Sequence, residues 1–247
     1  MLESILASLE IGVASLIVLA VAFVLLAIAL LSRVARRATL RRIGAYEVVA
    51  QAPTRAAESD LPIHLGLGSG SVGGEDALQT AAAIQAARYL TSGGAAGASR
   101  TVLTAGDATA MAAAMGAIDA NAYANAETRF AGPNPMAFAA GAKAMAPDEP
   151  MATHVLLGKF GDEGLWLAGA LSRGLRTPVG GTVEPSVSAL MYAAMDDAVI
   201  GEEVYAAGAY LGDQNQVASL VAADLLRWLG VAAMVLGTLA LSLGWWR

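Results

Sequence analysis

Two long uncharged apolar stretches lie at opposite ends of the chain, and shorter apolar runs alternate with polar segments between them. Residues 11–31 carry no charge and would form a helix about 31 Å long, enough to cross a hydrocarbon core about 30 Å thick. Residues 228–246 form the second uncharged stretch. The pattern therefore predicts an N-terminal and a C-terminal transmembrane helix that flank one domain of ordinary size.

Charged residues beside the first stretch predict its orientation. Glu3 and Glu10 precede it, and basic residues follow it. The basic residues are Arg33, Arg36, Arg37, Arg41 and Arg42. Because short basic flanks stay in the cytoplasm, we expect a two-pass protein of the inner (cytoplasmic) membrane with both termini outside, its arginines holding lipid head groups. A cleaved signal peptide would instead place basic residues before a shorter apolar run.

Aromatic and small residues give the second stretch its expected contacts. Trp228 lies about 26 Å along a helix from Trp245 and Trp246, the spacing of aromatic anchors at two membrane interfaces. Ala233 and Gly237 are four residues apart and would let another helix pack closely.

Six short apolar runs recur in the central region, and an alanine-rich helical stretch follows each of them. The runs cover residues 62–67, 101–105, 128–131, 154–157, 177–179 and 198–200. This alternation predicts a Rossmann-like, three-layer α/β domain with about six mainly parallel strands. The predicted boundaries are 1–43 for the first transmembrane helix and its basic flank, 44–226 for a cytoplasmic domain, and 227–247 for the second transmembrane helix.

Two helical segments should connect the domain to the membrane. Residues 43–57 are expected to continue the first helix along the membrane surface until Pro53 breaks it. Asp213 and Asn215 can cap a helix that runs without a break into the second apolar stretch.

The charge distribution excludes one class of partner. The net charge is −6, but seven of the 15 basic residues flank the membrane stretches and two of the 21 acidic residues precede the first, which leaves the domain at about −11. A nucleic-acid partner is excluded, because binding one requires a basic surface. The chain has no cysteine, which excludes disulfides and thiolate metal ligands.

The glycine-rich segment 68–73 matches G-x-G-x-x-G between a predicted strand and a predicted helix. In that context Gly68, Ser69, Gly70 and Gly73 would bring backbone N–H groups to the phosphate of a nucleotide-like ligand. Acidic residues at positions 75 and 76 would oppose a phosphate, and Asp107 lies 34 residues beyond the last glycine, where it fits a helix cap better than a ribose ligand. The alternative is a flexible strand-to-helix turn without a ligand.

Polar residues also follow the predicted strands, at the edge where open α/β sheets bind ligands. They are Ser69, Asp107, Asn134, Asp162, Glu163, Glu184, Glu202 and Glu203. Most fit helix caps or first-turn acids. Glu202 and Glu203 exceed what one cap needs and form a possible acidic site. His64 and His154 lie within predicted strands, where buried, hydrogen-bonded histidines are expected rather than metal ligands.

Three segments, residues 62–70, 158–163 and 200–211, resemble a family of uncharacterised bacterial membrane proteins with a basic-flanked first span and a last span after the domain. The resemblance covers nearly the whole chain and implies the two-span architecture, but no catalytic residue or cofactor. We therefore expect a membrane-anchored structural or scaffolding protein that forms a homo-oligomer or joins other membrane-protein subunits. The alternative is a membrane-tethered sensor or enzyme that binds a nucleotide-like ligand at the glycine-rich segment.

Overall fold

The structure, a computed structural model, describes residues 18–24, 27, 38–93, 99–145, 149–171, 177–195 and 197–242. The chain divides into two units. Residues 41–212 form an α/β domain, and the other unit holds the described residues from the two ends of the chain.

Six parallel strands form one sheet in the order β3-β2-β1-β4-β5-β6. They are β1 (Ile63–Gly68), β2 (Thr101–Ala105), β3 (Ala126–Phe130), β4 (Thr153–Lys159), β5 (Val179–Thr182) and β6 (Asp197–Ile200). The predicted Rossmann-like α/β domain is thus confirmed, and the sheet is parallel throughout. Strand order reverses between β1 and β4, so the carboxyl ends of these two strands form the topological switch point.

Helices cover both faces of the sheet. The first face carries α1 (Gly44–Ser59), α2 (Ala77–Ser92), α3 (Ala108–Ala117) and α7 (Ala207–Tyr210). The second face carries α4 (Pro135–Met145), α5 (Asp162–Leu171) and α6 (Pro185–Ala194). The described part of the domain also contains the 3-10 helices Ala120–Asn125 and Gly201–Ala206. Because side chains alternate along a strand, Leu65 enters the core of the first face, and Leu156 packs with Phe138 and Phe160 on the second.

The prediction for residues 43–57 is wrong. Residues 38–43 are not helical, and α1 begins afresh at Gly44 after an extended Ile43. Its buried side, which includes Tyr46 and Val49, belongs to the core of the first face, so α1 is a helix of the domain rather than a membrane-surface segment. Pro53 lies inside the helix and is itself buried, so it does not end α1.

The fifth strand differs from its prediction because two glycines expected in a turn are part of it. Gly180 and Gly181 both lie in β5, where they pair with β6. A Cβ atom on Gly180 would lie 2.6 Å from the sulfur of Met195, and one on Gly181 would lie 2.6 Å from Cδ1 of Leu157. The packing on both faces therefore requires glycine here, which breaks the apolar pattern that marks a buried strand.

The last helix, α8 (Gln214–Ser242), runs without a break, as predicted. The Asp213 carboxylate caps it by accepting hydrogen bonds from the backbone N–H groups of Asn215 at 2.9 Å and Gln216 at 3.4 Å. Within α8, Gln214–Leu239 spans 26 residues and contains an 18-residue window with a mean hydropathy of 1.7, so it is long and apolar enough to cross a membrane. Of the predicted first span, residues 18–24 and 27 are helical and the remainder lies outside the described residues.

Candidate functional site

The glycine-rich loop connects β1 to α2 at the topological switch point. Gly68 adopts φ 79°, and a Cβ atom on it would overlap the carbonyl oxygen of Lys159 at the end of β4. The neighbouring Ser69 N–H donates to that same oxygen at 2.9 Å. A Cβ atom on Gly70 would lie 2.8 Å from Cβ of Lys159, whereas Gly73 has open space around it. The first two glycines of the motif are therefore required by packing, and the third is not.

Lys159 links both sides of this edge. Its Nζ lies 3.1 Å from Oδ1 of Asp76, just before α2, and 2.8 Å from Oε1 of Glu184, just before α6. The hydrogen bond with Glu184 is the main cause that raises the pKa of Lys159 above its ordinary value, despite partial burial. Lys159 is therefore a stable cation at neutral pH, suited to hold an anion and unsuited to act as a base or an amine nucleophile.

Ser69 has an acidic partner. Its hydroxyl donates to Oε1 of Glu163 at 3.2 Å, and the backbone N–H of Gly161 donates to the same oxygen at 2.9 Å. Glu163 is buried at the start of α5. A nucleophilic serine would need a base such as histidine, but His64 and His154 pair with each other instead. The Ser69–Glu163 contact thus fastens the loop to α5.

One polar atom under the loop is unsatisfied. Thr80, in the first turns of α2, is fully buried, and its Oγ1 has no hydrogen-bond partner. This oxygen lies 2.8 Å from the position a Cβ atom on Gly70 would occupy, so it faces the loop. The adjacent Gln79 is buried too, and its Oε1 accepts a hydrogen bond from the backbone N–H of Val183 at 3.3 Å. An unpaired buried hydroxyl is costly, and it marks a point where the loop could meet a polar ligand.

Two polar residues at this edge are helix caps, as the sequence predicts. Asp107 accepts hydrogen bonds from the N–H groups of Thr109 at 2.8 Å and Ala110 at 3.0 Å, which caps α3. The hydrogen bond from the Thr109 hydroxyl is the main cause that lowers the pKa of Asp107. Asn134 similarly accepts from the N–H of Ala137 at 2.9 Å.

The two histidines lie on the second face of β1 and β4, and both are hydrogen-bonded; His64 is buried, as predicted, whereas His154 is half-buried. Their Nδ1 atoms lie 3.1 Å apart, and Nε2 of His64 lies 2.9 Å from Oγ1 of Thr104. Burial lowers the pKa of His64 to about 3 and that of His154 to about 4, so both are neutral at pH 7. Within the described ranges, no group of three or more His, Asp or Glu residues could hold a metal ion.

The possible acidic site lies in the 3-10 helix Gly201–Ala206 after β6, where the sequence predicts an α-helix. Glu203 forms an ion pair with Arg41, and its backbone carbonyl accepts a hydrogen bond from the Tyr46 hydroxyl at 2.8 Å. Glu202, the preceding residue of the same 3-10 helix, also has an interaction partner. The structure therefore places Glu203 against the chain segment that leads into α1.

The predicted membrane-interface residues are only partly described. Arg42 lies 2.7 Å from Glu47, so it and Arg41 both have partners within the domain. Trp228 is 71% exposed on α8. Arg33, Arg36, Arg37, Trp245 and Trp246 lie outside the described residues. Ala233 and Gly237 lie on α8, and a Cβ atom on Gly237 would meet no atom of the described residues within 4 Å.

Sequence reasoning missed the role of Lys159. The residue ends a strand, and its two carboxylate partners are 83 and 25 positions away in the chain. A lysine beside two glycines at the end of a central strand was the available signal, since that edge is where parallel sheets gather polar groups.

Comparison with known proteins places the chain in a family without an assigned activity. The sequence profile described as domain of unknown function (DUF6754) matches residues 6–246. No curated protein and no solved structure matches the chain.

Proposed function

The chain belongs to this family of unknown function, and we propose that it is a membrane-anchored structural or scaffolding protein that forms a homo-oligomer or joins a larger membrane complex. The observation that carries the proposal is α8, an unbroken helix of membrane-spanning length and composition. Its large apolar side chains, such as Met234 and Val235, are exposed along its sides, as lipid or another helix would require.

The proposed topology has two spans, with both termini outside the inner membrane and the domain in the cytoplasm. Its support is the arginine run after residues 11–31, because basic flanks stay on the cytoplasmic side. Arg41 and Arg42 pair with carboxylates of the domain, so Arg33, Arg36 and Arg37 are the residues assigned to lipid head groups.

The contacts at the switch point favour a structural role over catalysis. The side chains that could act there satisfy one another: Lys159 is held by Asp76 and Glu184, and Ser69 donates to Glu163. Catalytic groups are instead arranged so that a base reaches a nucleophile or a substrate proton. Within the described residues, this edge has the character of a rigid junction between strands and helices.

The mass of the detergent-solubilised particle tests the proposal, with Gly237→Leu as the probe of helix packing. Among the described residues, a Cβ atom at this position meets nothing within 4 Å, so the substitution should leave the subunit folded and reduce the mass of the particle. Val235→Leu is the matched control, because two residues turn a helix by about 200° and place it on another side. A wild-type particle containing a single chain, or a mass unchanged by Gly237→Leu, would contradict assembly through this helix.

A second candidate function is the binding of a nucleotide-like ligand at the glycine-rich loop. The observation that favours it is the strand order, which places the loop at the switch point between β1 and β4, with the unpaired hydroxyl of Thr80 beneath it. A bound phosphate would take Lys159 from its carboxylate partners. This function predicts that one member of a nucleotide panel raises the melting temperature of the full chain.

The variant for that test is Gly73→Asp, because a side chain at Gly73 meets nothing within 4 Å and adds only charge. Gly70→Asp is the harsher variant, since its Cβ atom would crowd Lys159 and Thr80. Loss of the thermal shift in Gly73→Asp, with an unchanged melting temperature without ligand, would support the site. No shift with any nucleotide would contradict it.

A further inference from the structure

The outer surface of the helices on the second face is apolar, unlike the usual solvent side of an α/β domain. Five large apolar side chains on α4, α5 and α6 are exposed: Met136 59%, Leu165 41%, Trp166 44%, Leu190 41% and Tyr192 65%. Between them lie small residues such as Ala140, Gly169 and Ala189. We call this surface the outer apolar face.

The outer apolar face is nearly free of charge. Of the three charged side chains on α4, α5 and α6, Glu163 is buried, which leaves Lys143 and Asp162. The ammonium of Lys143 lies 4.2 Å from the ring centre of Trp166, so the one cation of these three helices covers part of the largest side chain of the face. Lysine and tryptophan together form a rigid anchor with an apolar body.

The size of the face suits a protein contact. Helices of ten or eleven residues are about 15 Å long, and three of them side by side at about 9 Å cover roughly 400 Å². The largest apolar patches on monomeric proteins reach about 300–600 Å² and are often functional. The face has roughly half of the about 800 Å² that each partner buries in a standard interface, so it would form the apolar centre of a contact that a polar rim completes.

We infer that the outer apolar face binds the same face of a second copy of this chain, an inference that rests on the proposed assembly of the protein. The net charge of the domain indicates which partner binds the outer apolar face. Residues 41–212 contain ten basic and 17 acidic residues, a net charge of about −7, so two copies repel each other wherever acidic surfaces meet, and a basic partner would be drawn to those surfaces instead. A nearly neutral apolar face avoids both effects and is complementary to itself.

Symmetry and the membrane strengthen this choice. A twofold contact requires only one kind of surface, because both copies use the same residues to contact each other. Anchoring in one membrane plane raises the effective concentration of copies, so a modest face suffices. Trp166 would lie at the centre of the contact, on the middle helix of the three, where aromatic residues contribute most of the binding energy.

The test is a matched pair of glycine substitutions in the full chain, studied in mild detergent. Gly169 lies on the outer side of α5 and Gly116 lies on α3 of the first face, and a Cβ atom on either would meet no atom of the described residues within 4 Å. Gly169→Arg and Gly116→Arg should therefore lower the stability of the folded subunit by similarly small amounts. Gly169→Arg should weaken self-association at least tenfold, and Gly116→Arg should leave it unchanged.

Cysteine cross-linking in native membranes gives a second readout, because the chain contains no cysteine. Gly169→Cys should form a covalent dimer under mild oxidation, and Gly116→Cys should not. A wild-type particle containing one chain would overturn the proposed assembly and this inference together. An oligomer that survives Gly169→Arg and yields no Gly169→Cys dimer would overturn this inference alone, whereas capture of a different protein or only lipid at that cysteine would assign the face to another occupant.

Discussion

The two faces of the sheet carry helices of different surface character, although they share the same six strands. Helices α1, α2, α3 and α7 expose two large apolar side chains, Leu78 and Met115, and α1 displays Glu47, Arg55 and Glu58. The three helices of the second face expose five large apolar side chains. The difference lies in the outward positions, which do not determine the fold. Such positions are free to vary, so their apolar character indicates a contact with something outside the domain.

The cores beneath these layers differ as well. The first face is filled mainly by leucine, valine and alanine. It also contains the buried Tyr46, whose pKa burial raises above the ordinary tyrosine value. The second face combines Phe138 and Phe160 with the polar pair His64 and His154. The second face is thus apolar outside and partly polar inside. Four predictions, given from the largest expected effect to the smallest, test this contrast.

Phe138→Ala should have the largest effect, lowering the free energy of unfolding by about 3–5 kcal/mol, because it empties the centre of the second core. Met136→Ala on the same helix is the control, and its effect should stay within about 0.5 kcal/mol since the side chain is mostly exposed. Denaturant unfolding of the full chain in detergent measures both. Equal effects would mean that the second face lacks a packed core.

The histidine pair should make stability depend on pH. Their native pKa values, about 3 and about 4, lie below the unfolded value of about 6.5, so the unfolded chain binds more protons as pH falls. The contribution of the neutral histidines to the free energy of unfolding is fully present above the unfolded pKa. It is lost below that value, by about 2 kcal/mol for each histidine between pH 7 and pH 5.

His154→Asn is the variant for this measurement, since an amide does not titrate. It should lower stability at pH 7 yet reduce the loss between pH 7 and pH 5 by about 2 kcal/mol, measured by unfolding in detergent at each pH. Tyr46, in the first core, does not titrate in that interval. An unaltered pH slope would show that His154 is not held neutral.

Adjacent glycines of β5 compare the two faces directly. Gly181→Ala enters the first core against the branched side chains of Leu157 and Val199 and should cost about 1–3 kcal/mol. Gly180→Ala enters the second core against sulfur atoms of Met191 and Met195, which adapt more easily, and should cost less. Thermal unfolding of both variants ranks them. The reverse order would show that Met191 and Met195 adapt to an added methyl group less easily than Leu157 and Val199 do.

Two helix caps should give the smallest effects, about 1 kcal/mol each. Asp107→Ala removes the cap of α3 on the first face, and Asn134→Ala removes that of α4 on the second. Because the pKa of Asp107 is lowered in the folded chain, its contribution is complete above its ordinary unfolded value and is lost as pH falls through the native one. The cost of Asn134→Ala should not change with pH, which unfolding at two pH values can check.

Local features of the domain were predictable from sequence, and long-range partners were not. The strand-helix alternation and the caps at Asp107 and Asp213 depend on neighbouring residues, so pattern alone identifies them. The glycines of β5 fill a buried strand only because of methionines and leucines elsewhere in the chain. The sequence predicts a helix break at Pro53, whereas the burial of Pro53 within α1 depends on the sheet, which local sequence does not show.

At the candidate site the same limit applies. The glycine-rich loop and its place before a helix follow from sequence, since the motif combines a turn with a helix start. The ion pairs of Lys159 with Asp76 and Glu184 do not, because they join the end of β4 to two loops that are distant in the chain. The ion pair of Arg41 with Glu203 likewise required the fold to bring the two ends of the domain together.

The two hydrogen bonds that link Thr104, His64 and His154 must run in the same direction from donor to acceptor. A hydrogen bond between two neutral imidazoles needs one ring to donate and the other to accept, so the two Nδ1 atoms cannot both carry a proton. If His64 donates from Nδ1, its Nε2 must accept from the Thr104 hydroxyl, and if it accepts, its Nε2 must donate. The two rings therefore act as a single unit, and reversing one of the two hydrogen bonds reverses the other.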